Sequence, residues 1–235
     1  MDKPHIKYFP EMVQGTPEWF DARRGLMTAS EMDRVITGKT LKIADNEKTK
    51  MQLYELLAQR ISGYTETSYV SDDMMRGETD EIYARQAYEE HYAKVHFVGF
   101  ITNNRWGFTL GYSPDGLVGE DGAIEAKSRK QRFQVQTMVE HVSTGGLTIP
   151  SDYLIQHQTA LLVSERKWID FLSYSAGLPM IAIRVYPDPV VQEAIVYAAA
   201  DFEAKIQKAH AAWRSAMDSP ARLVATERRT EQEMF

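Results

Sequence analysis

The residues of this chain whose types and spacing suit chemistry are Asp115, within Ser113-Pro114-Asp115-Gly116, and Glu125 and Lys127, within Glu125-Ala126-Lys127. Two carboxylates and an amine across a hairpin are the parts needed to hold a divalent cation and activate a water beside a phosphodiester. Leu117-Val118 and Ala123-Ile124 are strand-like, and Gly119-Glu120-Asp121-Gly122 between them supplies turn chemistry. A turn centred on Glu120 sets Asp115 opposite Glu125, with Cβ atoms roughly 4.5 to 5.5 Å apart. A tight Asp121-Gly122 turn shifts the register and sends Asp115 to the other face. The chemistry requires the longer loop.

Glu125 and Lys127, two apart on a strand, project from one face, and the carbonyl of Ala126 is available as a further oxygen ligand. Carboxylate, carbonyl and water suit Mg²⁺, with Mn²⁺ as substitute, and both carboxylates could share one ion. Lys127 would position or deprotonate the attacking water and offset charge on phosphorus. As a bare pattern Asp-x9-Glu-x-Lys is weak, because the same residue types on an exposed hairpin are ordinarily just solvated. Other segments must decide.

Two further runs do so: Trp19-Phe20-Asp21-Ala22-Arg23-Arg24-Gly25-Leu26-Met27-Thr28-Ala29-Ser30-Glu31 and Arg76-Gly77-Glu78-Thr79-Asp80-Glu81-Ile82-Tyr83-Ala84-Arg85. With Ser113 to Gly116, Glu125 to Lys127 and Tyr153-Leu154-Ile155-Gln156-His157-Gln158, the chain closely resembles the lambda-type phage exonucleases, the viral recombinase group of the PD-(D/E)xK nucleases. The ordered matches run from about Gln14 to Gln158, and their combination is far more specific than any one piece.

The resemblance implies a metal-dependent exonuclease. Such an enzyme processively digests one strand of linear duplex DNA 5′ to 3′ to mononucleotides and leaves a 3′ single strand for a single-strand annealing protein. It implies that Asp115, Glu125 and the Ala126 carbonyl hold the catalytic metal, that Lys127 acts on the water, and that Glu81 serves a second ion or its water shell. Gln156 falls where the family places a glutamine beside the active site, and Arg23, Ser30 and Ser113 match its pocket for the 5′-terminal phosphate. Met74 and Met75 fall where the family has an apolar wedge that parts the terminal base pair; they can equally be core residues. The family forms trimeric rings around DNA, which reconciles a net charge of −6 with a basic lining. Rivals are a same-fold endonuclease or an exonuclease of other polarity, and a DNA-end-binding scaffold without turnover.

The pocket also makes sense from its own residues. Thr16-Pro17-Glu18 reads as N-cap, first-turn proline and first-turn acid of a helix that stops at Gly25. Thr28-Ala29-Ser30-Glu31 has the pattern of a capping box opening a second helix to Gly38. A guanidinium, hydroxyls and unpaired helix-start amides suit a phosphate, although ordinary capping needs nothing more. Glu81 sits in a helix expected over 78–93, with Ile82, Ala84, Tyr88 and Tyr92 for packing. Gln156 and His157 point about 100° apart on a helix, so one metal cannot take both; His157 reads as a surface or packed histidine.

The expected fold class is α+β, a central mixed sheet flanked by helices. Helices are expected near 17–24, 29–37, 47–62, 78–93, 130–143, 152–164 and 188–216, and strands near 95–103, 107–113, 115–118, 123–128, 167–174 and 180–186. The last helix would pack through Val190, Ile195, Ala198, Phe202, Ile206 and Trp213. With 235 residues, 43% of them hydrophobic, the chain suits one nuclease domain over 1–218 and a charged tail over 219–235. Without cysteine, disulfides and thiolate metal sites are excluded. No apolar run approaches the roughly 20 residues of a membrane span and no signal peptide opens the chain, which suits the cytoplasm of a bacterial or phage-infected cell. A second basic run, Arg129-Lys130-Gln131-Arg132, follows the acidic motif directly.

Overall fold

A computed structural model describes residues 4–66 and 72–228. Among them the strands form two four-stranded sheets. The first, in the order β1-β3-β4-β2, contains β1 (Ile6–Phe9), β2 (Met27–Thr28), β3 (Phe100–Asn103) and β4 (Leu110–Tyr112). The second, in the order β5-β6-β7-β8, contains β5 (Gly116–Val118), β6 (Gly122–Ser128), β7 (Trp168–Tyr174) and β8 (Ile181–Val185). Both sheets are mixed, where a single central mixed sheet was expected: in the first β2 runs parallel to β4 and the other pairs are antiparallel, and in the second β6 and β7 run parallel while β5 and β8 flank them antiparallel. The chain passes from one sheet to the other at Ser113-Pro114-Asp115, where a proline without an N–H cannot continue a ladder.

The helices largely follow their caps. In α1 (Pro17–Arg23) the Thr16 hydroxyl accepts from the Trp19 amide at 3.4 Å, and the chain turns at Gly25 with φ +68. In α2 (Glu47–Ser62) the Asn46 side chain accepts from Lys48 and Thr49, and Gly63 closes the helix at φ +63. Asp188 and Pro189 open α6 (Pro189–Met217). Its buried residues Val191, Ile195, Ala198, Ala199, Phe202 and Ile206 recur at helical spacing. They pack in one core with Leu56 and Leu57 of α2, Ile101 and Leu110 of the first sheet, and Ile155 and Leu161 of α5 (Leu154–Ser164). Each buried Val, Leu, Ile or Phe side chain among them contributes about 1.5–3 kcal/mol of apolar burial.

Several boundaries differ from expectation. The helix carrying Glu81, α3, spans Asp72–His91, six residues earlier than the expected start; Gly77 reads as a boundary but lies inside it with open space around it. The expected helix over 29–37 is a 3-10 turn over Ala29–Arg34, and the one over 130–143 is α4 (Gln131–Thr137) followed by a π-helical turn. Only an isolated bridge from His96 to Leu117 precedes β3, in place of a strand starting at 95. The sequence pattern does not anticipate β1 and β2: β1 lies between Pro4 and Pro10, and β2 is two residues long. Val190, Trp213, Ile82 and Tyr92 are exposed instead of packed, though Tyr92 still stacks on buried Tyr88 at 5.0 Å. Residues 229–235 of the proposed tail, and Met1 to Lys3 at the start, lie outside the described residues.

Candidate active site

The β5–β6 register decides the chemistry. Gly116 pairs with Ile124, Leu117 with Ala123 and Val118 with Gly122, so the hairpin centres on Glu120 and its continuation sets Asp115 opposite Glu125. The longer loop is the one formed, with Gly119 at φ +54 taking the left-handed position. Gly122 is required for a steric reason, since a Cβ there would stand 2.1 Å from the Trp168 ring, which lies over the strand backbone.

Around this hairpin the polar groups converge. Asp115 Oδ2 accepts from the Ala126 amide at 2.6 Å. On an extended strand a residue's N–H and C=O leave on the same edge, so the Ala126 carbonyl also faces Asp115 and not the β7 ladder. Glu125, 4% exposed, accepts from Lys127 Nζ at 3.0 Å and from Gln156 Nε2 on Oε1, and from the Tyr112 hydroxyl at 3.1 Å on Oε2. Gln156 comes from the first turn of α5. Glu81 arrives on α3, 3.6 Å from Arg85, whose guanidinium also donates to the Asp115 carbonyl. Elsewhere on the same helix Asp80 accepts from Ser128 at the end of β6, and Tyr88 donates to Asp170 of β7 at 2.6 Å, fixing α3 against the sheet.

The site carries excess negative charge. Burial raises Asp115 well above the usual carboxylate range, and the charges of Glu125 and Glu81 push in the same direction, against the Lys127 ammonium and the Ala126 amide. Glu81 is raised by burial and by Glu125, with Arg85 opposing. For Lys127, burial acts to lower the pKa, but the charges of Glu125 and Asp115 outweigh it and raise it, so the amine is an ammonium. Among the described residues no three His, Asp or Glu side chains gather as a ligand set. Two carboxylates, one main-chain carbonyl and water nevertheless form an all-oxygen donor set of the kind Mg²⁺ uses, since that ion keeps several waters. The residues fit such an ion.

Beside the acids lies a cluster built on the Arg23 guanidinium. Arg23, at the end of α1, donates to Ser113 Oγ at 2.9 Å and to Thr28 Oγ1 at 3.2 Å, and its guanidinium lies 4.3 Å from the Trp19 ring centre. The Trp19 indole N–H donates to the same Ser113 hydroxyl at 2.9 Å. Burial lowers the Arg23 pKa, partly offset by Glu31. The capping box does not form: Thr28 Oγ1 donates to Glu31 Oε2 at 2.7 Å instead of capping the backbone, and the following turn is 3-10. A cavity of about 240 Å³ is lined by both groups, among them Arg23, Ser30, Ser113, Asp115, Glu125 and Lys127.

The structure thus brings Asp115, Glu125, Lys127, Gln156, Arg23, Ser30 and Ser113 into one cavity, and Glu81 within electrostatic reach of it. Met74 and Met75 stand apart on the first turn of α3, about half exposed. His157 is fully buried, with its ring against Phe171 at 5.5 Å, and so is packed. Sequence reasoning missed Tyr112, Trp19 and Thr28. Trp19 stands four residues before Arg23 on a helix and so shares its face, a signal present in the spacing. Beyond the acids, Arg129 donates to the Tyr153 hydroxyl at 2.6 Å and lies 5.0 Å from the Phe133 ring, a cationic and aromatic margin.

A sequence profile of the YqaJ-like viral recombinase domain matches residues 18–167, and the chain belongs to that family. The crystal structure of an alkaline exonuclease from Laribacter hongkongensis aligns with a TM-score of 0.73 at 29% identity, covering 86% of this chain and 98% of that one. The same enzyme in complex with dAMP gives a TM-score of 0.73 at 32% identity, over 86% and 99% of the two chains. A phage related exonuclease from Haemophilus somnus 129PT, 14% identical, shares the fold, with a TM-score of 0.51 over 82% of this chain and 96% of that one. No curated protein sequence gives a significant match. The fold is that of the PD-(D/E)xK nucleases, the family is one of phage recombination exonucleases, and nucleases of this type are in general metal-dependent.

Proposed function

We propose that this protein is an Mg²⁺-dependent exonuclease that processively digests one strand of linear double-stranded DNA 5′ to 3′, releasing mononucleotides and leaving a 3′ single-stranded overhang. One observation carries the reading: the Arg23–Ser113 grip and the Asp115, Glu125 and Lys127 group line a single cavity of about 240 Å³. A phosphorylated 5′ end held by the first would present its scissile bond to the second. The dAMP bound by the Laribacter hongkongensis relative supports a mononucleotide as product.

In this reading Asp115, Glu125 and the Ala126 carbonyl hold the Mg²⁺ or Mn²⁺ ion, and Glu81 serves a second ion or its water shell. The bound ion would polarise the phosphate and lower the pKa of a coordinated water. Lys127, an ammonium, orients the water and offsets charge growing on phosphorus, worth about 10² to 10⁴ in rate for one positioned group. Gln156 keeps Glu125 aimed. Arg23, with Ser113, Ser30 and Thr28, binds the terminal phosphate by charge-assisted hydrogen bonds. Met74 and Met75 are the wedge at the duplex end.

Residues 1–218 form the nuclease domain. A homotrimeric ring would confine DNA to a basic lining that includes Arg129, leaving an acidic exterior. The 219–235 tail is a docking segment for the single-strand annealing protein, and the setting is cytoplasmic. Among the described residues no helix is long and apolar enough to cross a membrane. The test uses linear duplexes labelled at the 5′ or the 3′ end, plus a covalently closed circle, with Mg²⁺ or EDTA. Early loss of the 5′ label alone, in Mg²⁺ alone, is expected; cutting of the circle would favour a same-fold endonuclease.

A further inference from the structure

Arg23, which ends α1, is also the first residue of a tight turn. Its carbonyl accepts from the Leu26 amide at 3.0 Å, Arg24 stands at φ −53 and ψ 122, and Gly25 stands at φ +68. These angles define a type II turn, which needs a residue tolerant of positive φ at its third position. The turn leads directly into β2, where Thr28 Oγ1 accepts from the Arg23 guanidinium at 3.2 Å. Its shape therefore sets how Arg23 and Thr28 face each other.

The last turn of α2 holds both polar groups of Gly25. The Gly25 amide donates to Gln59 Oε1 at 2.7 Å, and the Gly25 carbonyl accepts from Arg60 Nε at 2.8 Å. Gln59 is buried, and its Nε2 donates to Glu55 at 2.8 Å, which aims the amide oxygen at Gly25. In the commoner type I turn the Arg24–Gly25 peptide plane is turned over, which would take the Gly25 amide away from Gln59. Arg60 is itself anchored: its two terminal nitrogens donate to Glu203 of α6 at 2.6 and 2.8 Å, a fork on a carboxylate. A Cβ on Gly25 would stand 2.6 Å from Arg60 Cγ, so the stem of Arg60 closes on the turn.

We propose that Gln59 and Arg60 are positioning residues: by fixing Gly25 they hold the turn that aims Arg23 and Thr28 at the 5′-terminal phosphate, and so set the preference for phosphorylated ends. Neither of them is among the residues that line the cavity, so both act through Arg23 and the turn it opens. The inference rests on the reading of Arg23 as the ligand of that phosphate.

Single-turnover rates on linear duplexes with 5′-phosphate and 5′-hydroxyl ends are compared for the wild type, Gln59→Leu, Arg60→Met, Arg23→Ala and the double variant of Arg23→Ala with Arg60→Met. Thermal unfolding is recorded for each. Arg60→Met keeps the aliphatic stem and removes the guanidinium. The phosphate-to-hydroxyl rate ratio is expected to fall by about 10- to 100-fold in Gln59→Leu and in Arg60→Met, up to the cost of a misplacement of about 1 Å. A residue that serves stability alone would slow both ends in proportion and leave the ratio as it was. In the double variant the ratio should equal that of Arg23→Ala, because no guanidinium is left to aim. An unchanged ratio in the folded single variants, or a further fall in the double one, overturns the role of Gln59 and Arg60; a ratio lowered by Arg23→Ala then leaves the phosphate reading standing. A wild type without preference removes the phosphate reading and this inference with it. Should both single variants fail to fold, Glu203→Gln decides, since it loosens only the outer end of the clamp: an unchanged ratio there refutes the proposal.

Discussion

Acidifying the protein should weaken it through His157, and the size of the effect can be worked out. Its Nδ1 lies 2.8 Å from the Tyr153 carbonyl, which can only accept, so Nδ1 carries the proton and Nε2 presents a bare lone pair. Among the described residues that Nε2 is buried without a partner, and its ring lies beside Phe171. Burial, slightly reinforced by the Lys127 charge and opposed by Glu125 and the Tyr153 bond, lowers the pKa from 6.5 to about 4. Between those values the unfolded chain binds the proton and the folded one does not. The stability is therefore complete above about pH 6.5 and drains away as pH falls toward 4. At 1.36 kcal/mol per unit this is about 3 kcal/mol, or about 6 to 12 °C in melting temperature for a chain of this size. Asp115, with its raised pKa, works in the opposite direction, so the wild-type curve alone mixes the two. His157→Leu separates them. At neutral pH it should melt lower, because the Tyr153 carbonyl loses its donor at a cost of about 1–3 kcal/mol. By about pH 4 the deficit should close or reverse. Melting followed by circular dichroism in EDTA, from pH 7 to 4, is the assay. Parallel curves for wild type and variant would refute the reasoning.

The other outcomes concern the reaction. Asp115→Asn or Glu125→Gln should abolish Mg²⁺-dependent digestion while circular dichroism shows the fold retained; near-normal rates in either would contradict the metal assignment. Lys127→Ala should slow turnover by about 10² to 10⁴ with duplex binding retained, measured by single-turnover kinetics and by binding in Ca²⁺. Deleting residues 220–235 should leave digestion of linear duplex intact and reduce capture of the annealing protein, and unchanged capture would remove the docking role.

The hairpin that carries Asp115 and Glu125 was legible because side chains on a strand have a period of two. Once the loop length was fixed, the parity of Asp115 and Glu125 followed, and the register centred on Glu120 agrees with it. Cap chemistry similarly signalled α1 and α6, where Thr16 and Asp188 bond as their types dictate, while α2 followed from periodicity and its Asn46 cap is a finding of the structure. It failed at Thr28, because neighbouring side chains competed: Arg23 and Glu31 engage the hydroxyl that a capping box would use. Gly77 misled because glycine inside an exposed helix costs only about 1 kcal/mol, which the packing of Ala84 and Tyr88 outweighs. Tyr112 was invisible since its contact with Glu125 joins two sheets, and nothing local in the chain signals a pairing between sheets. The exposed Val190 and Trp213 show the limit of periodicity at the ends of a long helix, where the core no longer reaches.

Comparing single-turnover rates on linear duplexes with 5′-phosphate and 5′-hydroxyl ends, for wild type and Arg23→Ala, tests most directly whether one cavity both grips the end and cuts it. The wild type should strongly prefer the phosphorylated end, and Arg23→Ala should lose most of that preference, with the phosphorylated substrate alone slowed. Equal rates on the two ends in the wild type, or equal slowing of both in the variant, would contradict the account.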